Sequence, residues 1–560
     1  MDRRTVIAFI LIGLVIVFYP LYLELVTKGK KARAPKEVKK AEVDTLISQK
    51  EPEPYVPQEI EGQKQPPVPQ DTTQIEKLIK VETDLYQAFF SNRGGNLKRF
   101  VLKNYTYSDG NKIEVIPEDA PCALNINFPL SGLDMDNHYF TSDQEEIFIN
   151  EIDSVKSLNF TLDMGNGSYI TKRYVFSHNR YDFDLHIGIQ GLKDLNPGRQ
   201  YILSWESGVG ITETNRKEDL GYFESYAMMG EELVKEKKFQ RPNNADTGIL
   251  KEERSGNTLW AATRSKYFMA TLVPLSREGS GFVAEGIQTK IQYEDEILEH
   301  KRIGISIEMS IPAQDALEDS FMVYVGPIDY HILKDYDLGL DRIVNLGWKI
   351  IRPFSIFVLW IFINLYKVFA NYGIVIIIFT GLMKVLFHPL THKSVKAQTK
   401  MQEVQPLINE LREKYKKDPQ RLNQEVMKLY KEYKVNPFGG CLPLLLQMPL
   451  FWALFTICRS TIELRQANFV FWLKDLSQMD PYRILPIIMA VTMFWQQKIT
   501  IKDPKQQAMV YFMPILFFFF FQSFPAGLTL YWTFFNIFSL IEQYYIKWQG
   551  RGQPAVVVSK

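Results

Sequence analysis

Between Val81 and Val325 the chain alternates apolar residues with polar or small ones. Tyr181, Phe183, Leu185, Ile187 and Ile189 make one such series, and Ile303, Ile305, Ile307, Met309 and Ile311 another. A period of two buries one face of a strand and leaves the other wet, the pattern of antiparallel sheet. Gly94-Gly95, Asn166-Gly167 and Pro197-Gly198 supply turns between these runs, so residues 79–342 are predicted to form one large antiparallel β-sandwich of two packed sheets. From residue 351 onward the rhythm changes to long apolar runs broken by charged loops: Tyr372 to Leu390, Leu442 to Cys458, Ile484 to Gln496, Ala508 to Gln522 and Leu528 to Ile541. Helices of about 20 such residues cross ~30 Å of hydrocarbon, and these five runs are predicted spans, the third being the shortest. Pro353 to Tyr366, flanked by Lys349, Arg352 and Lys367, falls short of that length. It predicts an amphipathic helix lying in the membrane interface over residues 343–371.

At the N-terminus Arg3 and Arg4 precede an apolar run from Thr5 to Leu23 that ends without a small-x-small site, which predicts an uncleaved membrane anchor over residues 1–27. Residues 28–78 are rich in Lys, Glu, Pro and Gln. Such a composition buries too little apolar surface to offset chain entropy and predicts a flexible linker. The net charge of +1 averages over a water-soluble half and a lipid-soluble half and identifies no partner. Three cysteines, Cys122, Cys441 and Cys458, exclude a disulfide scaffold.

Charge sets the orientation. Residues 391–437 hold 11 Lys or Arg against six acids, and the loop 498–507 holds Lys498, Lys502 and Lys505 against Asp503. Both loops belong on the cytoplasmic side by the positive-inside rule, which places the β domain outside, both termini inside and the span count at six. Seven basic residues from Lys28 to Lys40 lie on the wrong side in that arrangement. A seventh span at Pro353 to Tyr366 would remove the conflict but would place Arg3 and Arg4 outside, so the pattern by itself favours six spans without closing the alternative.

Within the spans ionisable groups are scarce. Lys384 stands out, because an ammonium at mid-bilayer costs about 2.5–3.5 kcal/mol on insertion scales and marks a functional candidate. The plainer alternative is snorkelling, since Lys384 lies about 9 Å of helix from Leu390. Thr380, Lys384 and His388 recur every four residues, a polar stripe suited to lining a wet cleft. His388 and His392 also share that spacing, but no nearby Cys or carboxylate completes a ligand set, and neither a metal nor a cofactor is expected. In the basic loop Val404, Leu407, Ile408, Leu411 and Tyr415 form one helical stripe, and Leu422, Val426, Leu429, Tyr430 and Tyr433 form another. Asp418-Pro419 separates them, which predicts a helical hairpin whose charge suits membrane lipids, ribosomal RNA or a nascent chain. No Walker sequence, nucleophile elbow or zinc-protease helix is present, and an enzyme is not expected.

Longer motifs narrow the choice. Asn436-Pro437-Phe438-Gly439-Gly440-Cys441-Leu442-Pro443-Leu444-Leu445-Leu446-Gln447-Met448-Pro449 is followed in order by Glu463-Leu464-Arg465-Gln466-Ala467, Trp472-Leu473-Lys474-Asp475-Leu476-Ser477 and Asp480-Pro481-Tyr482, then by Phe512-Met513-Pro514 and Gly527-Leu528-Thr529-Leu530-Tyr531-Trp532 with Asn536. In these segments the chain resembles the YidC family, over essentially its full length, and the long β region after the first anchor is typical of Gram-negative members. The resemblance implies a multi-pass α-helical membrane protein of six spans in the bacterial inner membrane, with a large periplasmic β-sandwich and a cytoplasmic helical hairpin at 391–437. The core would be residues 372–546 and a cytoplasmic tail 547–560. It implies a membrane insertase and chaperone, acting as a monomer, whose hydrophilic groove opens to the cytoplasm and to lipid. Its partners would be nascent membrane proteins, the Sec translocon, membrane lipids and the ribosome.

By position Lys384 matches an arginine of the family's groove, a departure that replaces a five-donor fork by a point charge and removes bidentate carboxylate binding. Thr380, Gln447, Trp472, Tyr531 and Asn536 match groove-lining or substrate-contacting positions. Plainer readings stand beside them: Gln447 and Asn536 as interhelical hydrogen-bond partners, and Trp472 as an interfacial anchor. Two rival classes are a secondary transporter using the intramembrane lysine and an anchored periplasmic scaffold. The first lacks paired ionisable residues and duplicated halves in the sequence, and the second leaves the lysine-bearing span and basic hairpin unexplained.

Overall fold

A computed structural model describes residues 75–142, 144–192, 198–240, 247–293, 296–433, 435, 442–501 and 507–550. The predicted anchor, most of the linker, Asn436 to Cys441 and the last ten residues of the tail lie outside the described residues.

Among the described residues, eighteen strands lie between Leu78 and Pro327. All five alternating residues from Tyr181 to Ile189 are buried, as are Ile303, Ile305, Ile307 and Met309, with Ile311 half-buried at the end of its series. Asn166 and Gly167 both adopt positive φ, 53° and 81°, and so close a tight hairpin between Val155–Gly165 and Ser168–Ser177. Where two separate sheets were expected, the ladders join into one continuous sheet. The long strand Gly248–Arg264 shows why. Its first half pairs with Gly281 to Gln288 and its second half with Met269 to Leu272. A bulge at Gly256, whose φ of 144° an L residue rarely adopts, shifts the first ladder, and the partner changes between Thr258 and Ala261. A sheet with one buried face then curls over a shared core that includes Trp205, Trp260, Tyr86, Tyr174 and Phe90. The ladders are antiparallel except Lys80 to Glu82, which runs parallel to Glu146 to Phe148. Among the sealed cations, Lys172 Nζ donates to Gly94 O (2.8 Å), Asn96 Oδ1 (2.5 Å) and Leu124 O (2.8 Å), which uses all three donors of an ammonium.

The rest is helical: α1 (Arg352–Phe369), α2 (Tyr372–Lys414), α3 (Pro419–Glu432), α4 (Leu442–Ser460), α5 (Ile484–Thr500), α6 (Gln507–Phe521) and α7 (Ala526–Gly550). By length and apolar content α1 and the segment Tyr372–Pro389 suffice to cross a membrane, and α5 and α6 are shorter apolar helices. Two boundaries differ from expectation. Helix α1 has 18 residues, longer than the apolar run that suggested it, because Arg352 and Lys367 are accommodated at its ends. Helix α2 does not stop at Leu390 but continues through Pro389 and Pro406 for 43 residues. Asn371 caps its start by accepting from Ile374 N (3.1 Å). Asp418 likewise caps α3 through Arg421 N (3.1 Å), and α3 packs on the end of α2 around Val404, Ile408 and Val435.

The β domain and the helices are joined by buried polar contacts. The Glu463–Ala467 motif lies in this joint: Arg465 donates to Glu213 Oε1 (2.7 Å) and Thr106 O (2.9 Å), and Gln466 Nε2 donates to Thr106 O (2.9 Å). Arg459, near the end of α4, pairs with Glu218 (3.0 Å). The loop between α4 and α5 also closes the start of α7, where Ala526 N donates to Gln478 O (2.7 Å) and Gly527 N to Leu476 O (2.9 Å).

Candidate functional site

Lys384 sits about 18 Å along α2 from its β-domain end, counting twelve residues of helical rise. Its ammonium is 3.2 Å from Glu542 Oε2 on α7 and 4.3 Å from the centre of the Phe535 ring. One turn further along α2, His388 Nδ1 lies 2.9 Å from the other oxygen of the same carboxylate. The two side chains spaced i and i+4 therefore converge on one acid, and the ammonium turns toward α7 rather than along its own helix to the headgroups. Around them opens a cavity of about 520 Å³ between α2 and α7, lined by Gly381, Val385, Pro389, Phe538, Ile541 and Tyr545 in addition to the three charged or titratable groups. At Gly381 a Cβ would lie 3.8 Å from Phe538, an ordinary contact distance. The chemistry on offer is a cation already partnered by a carboxylate inside an apolar wall.

The other sequence-derived residues separate into two groups. Thr380, Gln447, Tyr531 and Asn536 are buried among the helices. Thr380 Oγ1 donates back to Ile376 O (2.6 Å), and Gln447 Nε2 donates to the Tyr531 hydroxyl (3.0 Å). Asn536 Nδ2 is sealed from solvent and has no hydrogen-bond partner among the described residues. The Tyr531 ring lies 6.1 Å from that of Phe535, tilted by 34°, and Phe535 is the ring beneath Lys384, so Gln447, Tyr531, Phe535 and Lys384 form one connected path. Trp472 lies elsewhere, in the loop between α4 and α5, where its Nε1 donates to Asp480 Oδ1 (3.0 Å). Asp480 in turn accepts from Tyr482 N and Leu485 N at the start of α5, so Trp472 braces a loop on the β-domain face and does not meet Lys384.

Glu542 is the residue sequence reasoning missed. The last apolar run was ended at Ile541, one residue short of it, and the expectation that the spans hold no paired ionisable residues is corrected by its contact with Lys384. The available signal was periodic: Phe535 and Glu542 are seven apart and share a helix face.

A helical membrane protein with one charged cluster in a cleft between two of its helices, and a large β-rich domain docked on one face, is the class these features define. Residues 364–552 match the family model for the 60Kd inner membrane protein, and residues 78–359 match that for the YidC periplasmic domain. The chain belongs to the YidC family of membrane protein insertases. It is 34% identical to the membrane protein insertase YidC of Syntrophus aciditrophicus over 98% of this chain and 100% of that one. It is 32% identical to its counterpart in Chlorobium limicola over 98% of this chain and 94% of that one. A crystal structure of an active YidC insertase with its first transmembrane domain resolved is 20% identical, covers 84% of this chain and 93% of its own, and has a TM-score of 0.37.

Proposed function

We propose that this chain is a membrane protein insertase that takes nascent membrane proteins from the cytoplasm into the inner membrane through the cleft between α2 and α7, alone or with the Sec translocon. The observation that carries the reading is the Lys384–Glu542–His388 cluster in the cleft of a largely apolar bundle. A polar tail crossing hydrocarbon leaves unsatisfied groups costing several kcal/mol each, and a polar cleft reaching partway across shortens that path. Lys384 draws acidic tails by Coulomb attraction, while the apolar part of the client leaves between helices into lipid.

Several contacts support the orientation. Arg352, at the start of α1, bonds Asp341 (2.9 Å), and Asn371, just beyond its end, donates to Phe469 O (3.4 Å) in the loop that docks on the β domain. Both ends of α1 therefore approach the β-domain face, which favours a helix lying along that face over one that crosses. Helices α2, α4, α5, α6 and α7 then alternate in direction as five spans. With the Thr5–Leu23 anchor the count is six, with the β domain periplasmic, both termini cytoplasmic, and the α2–α3 hairpin available to a ribosome or an arriving chain. A monomer suffices, because the cleft is complete within one chain.

Photocrosslinkers at Val385 and Ile541, which are 75% and 59% exposed and line the cavity, test the reading. Adducts with stalled nascent membrane proteins are expected there and not from Ile487 on α5. Equal labelling at all three positions would refute a client path between α2 and α7. A secondary transporter is the second reading, now favoured by the paired Lys384 and Glu542. Substrate-dependent ion flux in proteoliposomes that Lys384→Ala abolishes would support it over insertion.

A further inference from the structure

On the opposite side of the molecule from the hairpin, the β domain and the helices enclose a second cavity of about 770 Å³. Its floor is made of helix ends: Phe455 and Arg459 near the end of α4, Ser477 to Met479 of the following loop, and Ser523 and Pro525 before α7. Strands of the β domain form its roof. Seven lysine and arginine side chains line it against two glutamates, a surplus of five positive charges. Part of that charge is tied down. Arg264 donates to Ile343 O (2.7 Å), Arg352 pairs with Asp341 (2.9 Å) and Arg459 with Glu218 (3.0 Å). Lys235 and Lys237 share one acid, Glu224 (2.5 and 3.3 Å). Lys217 and Arg342 are exposed, and no ion pair holds either among the described residues.

Such a concentration is unexpected here. Short segments on the outer face of a membrane protein are depleted of Lys and Arg, yet Arg352 and Arg459 lie at helix ends on the β-domain face and Arg342 ten residues before α1. Like charges gathered in one concavity repel, and an anion seated among them relieves that cost. The floor of helix ends puts the cavity at headgroup level. Directly beside it Trp348 is exposed, and α1, which starts at Arg352, presents Phe354, Phe357 and Trp360 outward. Aromatic side chains of this kind favour the interface between headgroups and acyl chains.

We propose that this cavity binds the phosphodiester headgroup of an anionic phospholipid, with the acyl chains lying along the exposed face of α1. The lipid then joins the β domain, α1 and the ends of α4 and α7 through one shared ligand. The inference rests on the reading above that α1 lies along the β-domain face. A phosphate is the common chemistry of a lipid headgroup and a free anion; the aromatic face adjoining the cavity favours the lipid.

The test is native mass spectrometry of the full chain released from nanodiscs of phosphatidylglycerol or of phosphatidylcholine, with the double variant Lys217→Gln/Arg342→Gln beside it. These two side chains are exposed, so the fold is preserved. The expected result is one phosphatidylglycerol retained by the unaltered chain and bound roughly 10-fold more weakly by the double variant. Lys217→Arg/Arg342→Lys should restore it, and phosphatidylcholine should be held weakly by all three. Equal retention of phosphatidylglycerol by the unaltered chain and the double variant, or phosphatidylcholine held as tightly, overturns the proposal. So does inorganic phosphate displacing the lipid at millimolar concentration, which assigns the cavity to a free anion. Lipid retention is read without any client, so its failure is separate from a failure of crosslinking in the α2–α7 cleft.

Discussion

Glu542 occupies the place an incoming acidic tail would take on Lys384, and removing it should make this protein more receptive to such tails. At 3.2 Å two unit charges in an effective dielectric of about 20 gain roughly 5 kcal/mol of Coulomb energy. Desolvation offsets much of it, for the side chains are 11% and 12% exposed, and a net coupling of about 1–3 kcal/mol is expected. A client carboxylate must displace Glu542 before it can reach the ammonium. Glu542→Gln should therefore raise crosslinking and insertion of clients with Asp or Glu in the translocated tail by roughly 5-fold or more, leaving neutral tails unchanged. Lys384→Ala should impair acidic tails and strand the carboxylate, Lys384→Arg should retain activity, and Lys384→Ala/Glu542→Gln should behave better than the sum of the two single losses. The assay is insertion into proteoliposomes of one client with its tail acids kept or changed to amides, run as a double-mutant cycle. Additivity within about 0.5 kcal/mol, or equal effects on acidic and neutral tails, would refute the displacement argument.

Lys172→Met would leave Gly94 O, Asn96 Oδ1 and Leu124 O without their donor, and calorimetry of the full chain should show the β-domain transition weakened by about 2–5 kcal/mol. Glu463 has a sealed Oε1 with no hydrogen-bond partner among the described residues, beside the domain joint, and burial, with Asp329 nearby, raises its pKa to about 7. The unfolded chain releases this proton near the ordinary carboxylate value, so the stabilisation from Glu463 is complete below that value and is lost as pH rises through about 7; melting curves from pH 4 to 8 should show this loss, and Glu463→Gln should flatten it. Gln447→Leu and Tyr531→Phe break the same interhelical bond, so each should cost about 0.6–2 kcal/mol in detergent unfolding and the pair little more than one alone.

Periodicity made most of the architecture legible. The alternation from Tyr181 to Ile189 and from Ile303 to Met309 names residues that do face the core, because burial on one side of a strand writes itself into every second position. Helix ends were read less well. The apolar run ends at Leu390, yet the helix continues past it and through Pro389, as helices packed among neighbours often can. The single continuous sheet was hidden because partner exchange within Gly248–Arg264 depends on which strands arrive, not on its own alternation. At the site, Lys384 announced itself by its cost in lipid, whereas Glu542 lies 158 residues further along, and only packing of α2 on α7 joins them. Trp472 and Arg465 carried recognisable motifs, but their work, bracing a loop and docking the β domain, follows from contacts no local pattern encodes.

The continuity of α2 has a mechanical side. Pro389 deprives the backbone of one amide donor immediately after His388, and the 25 residues that follow it, 390–414, form an arm about 38 Å long. A sideways load on that arm would bend it most easily where the bond is missing, beside the two side chains that hold Glu542.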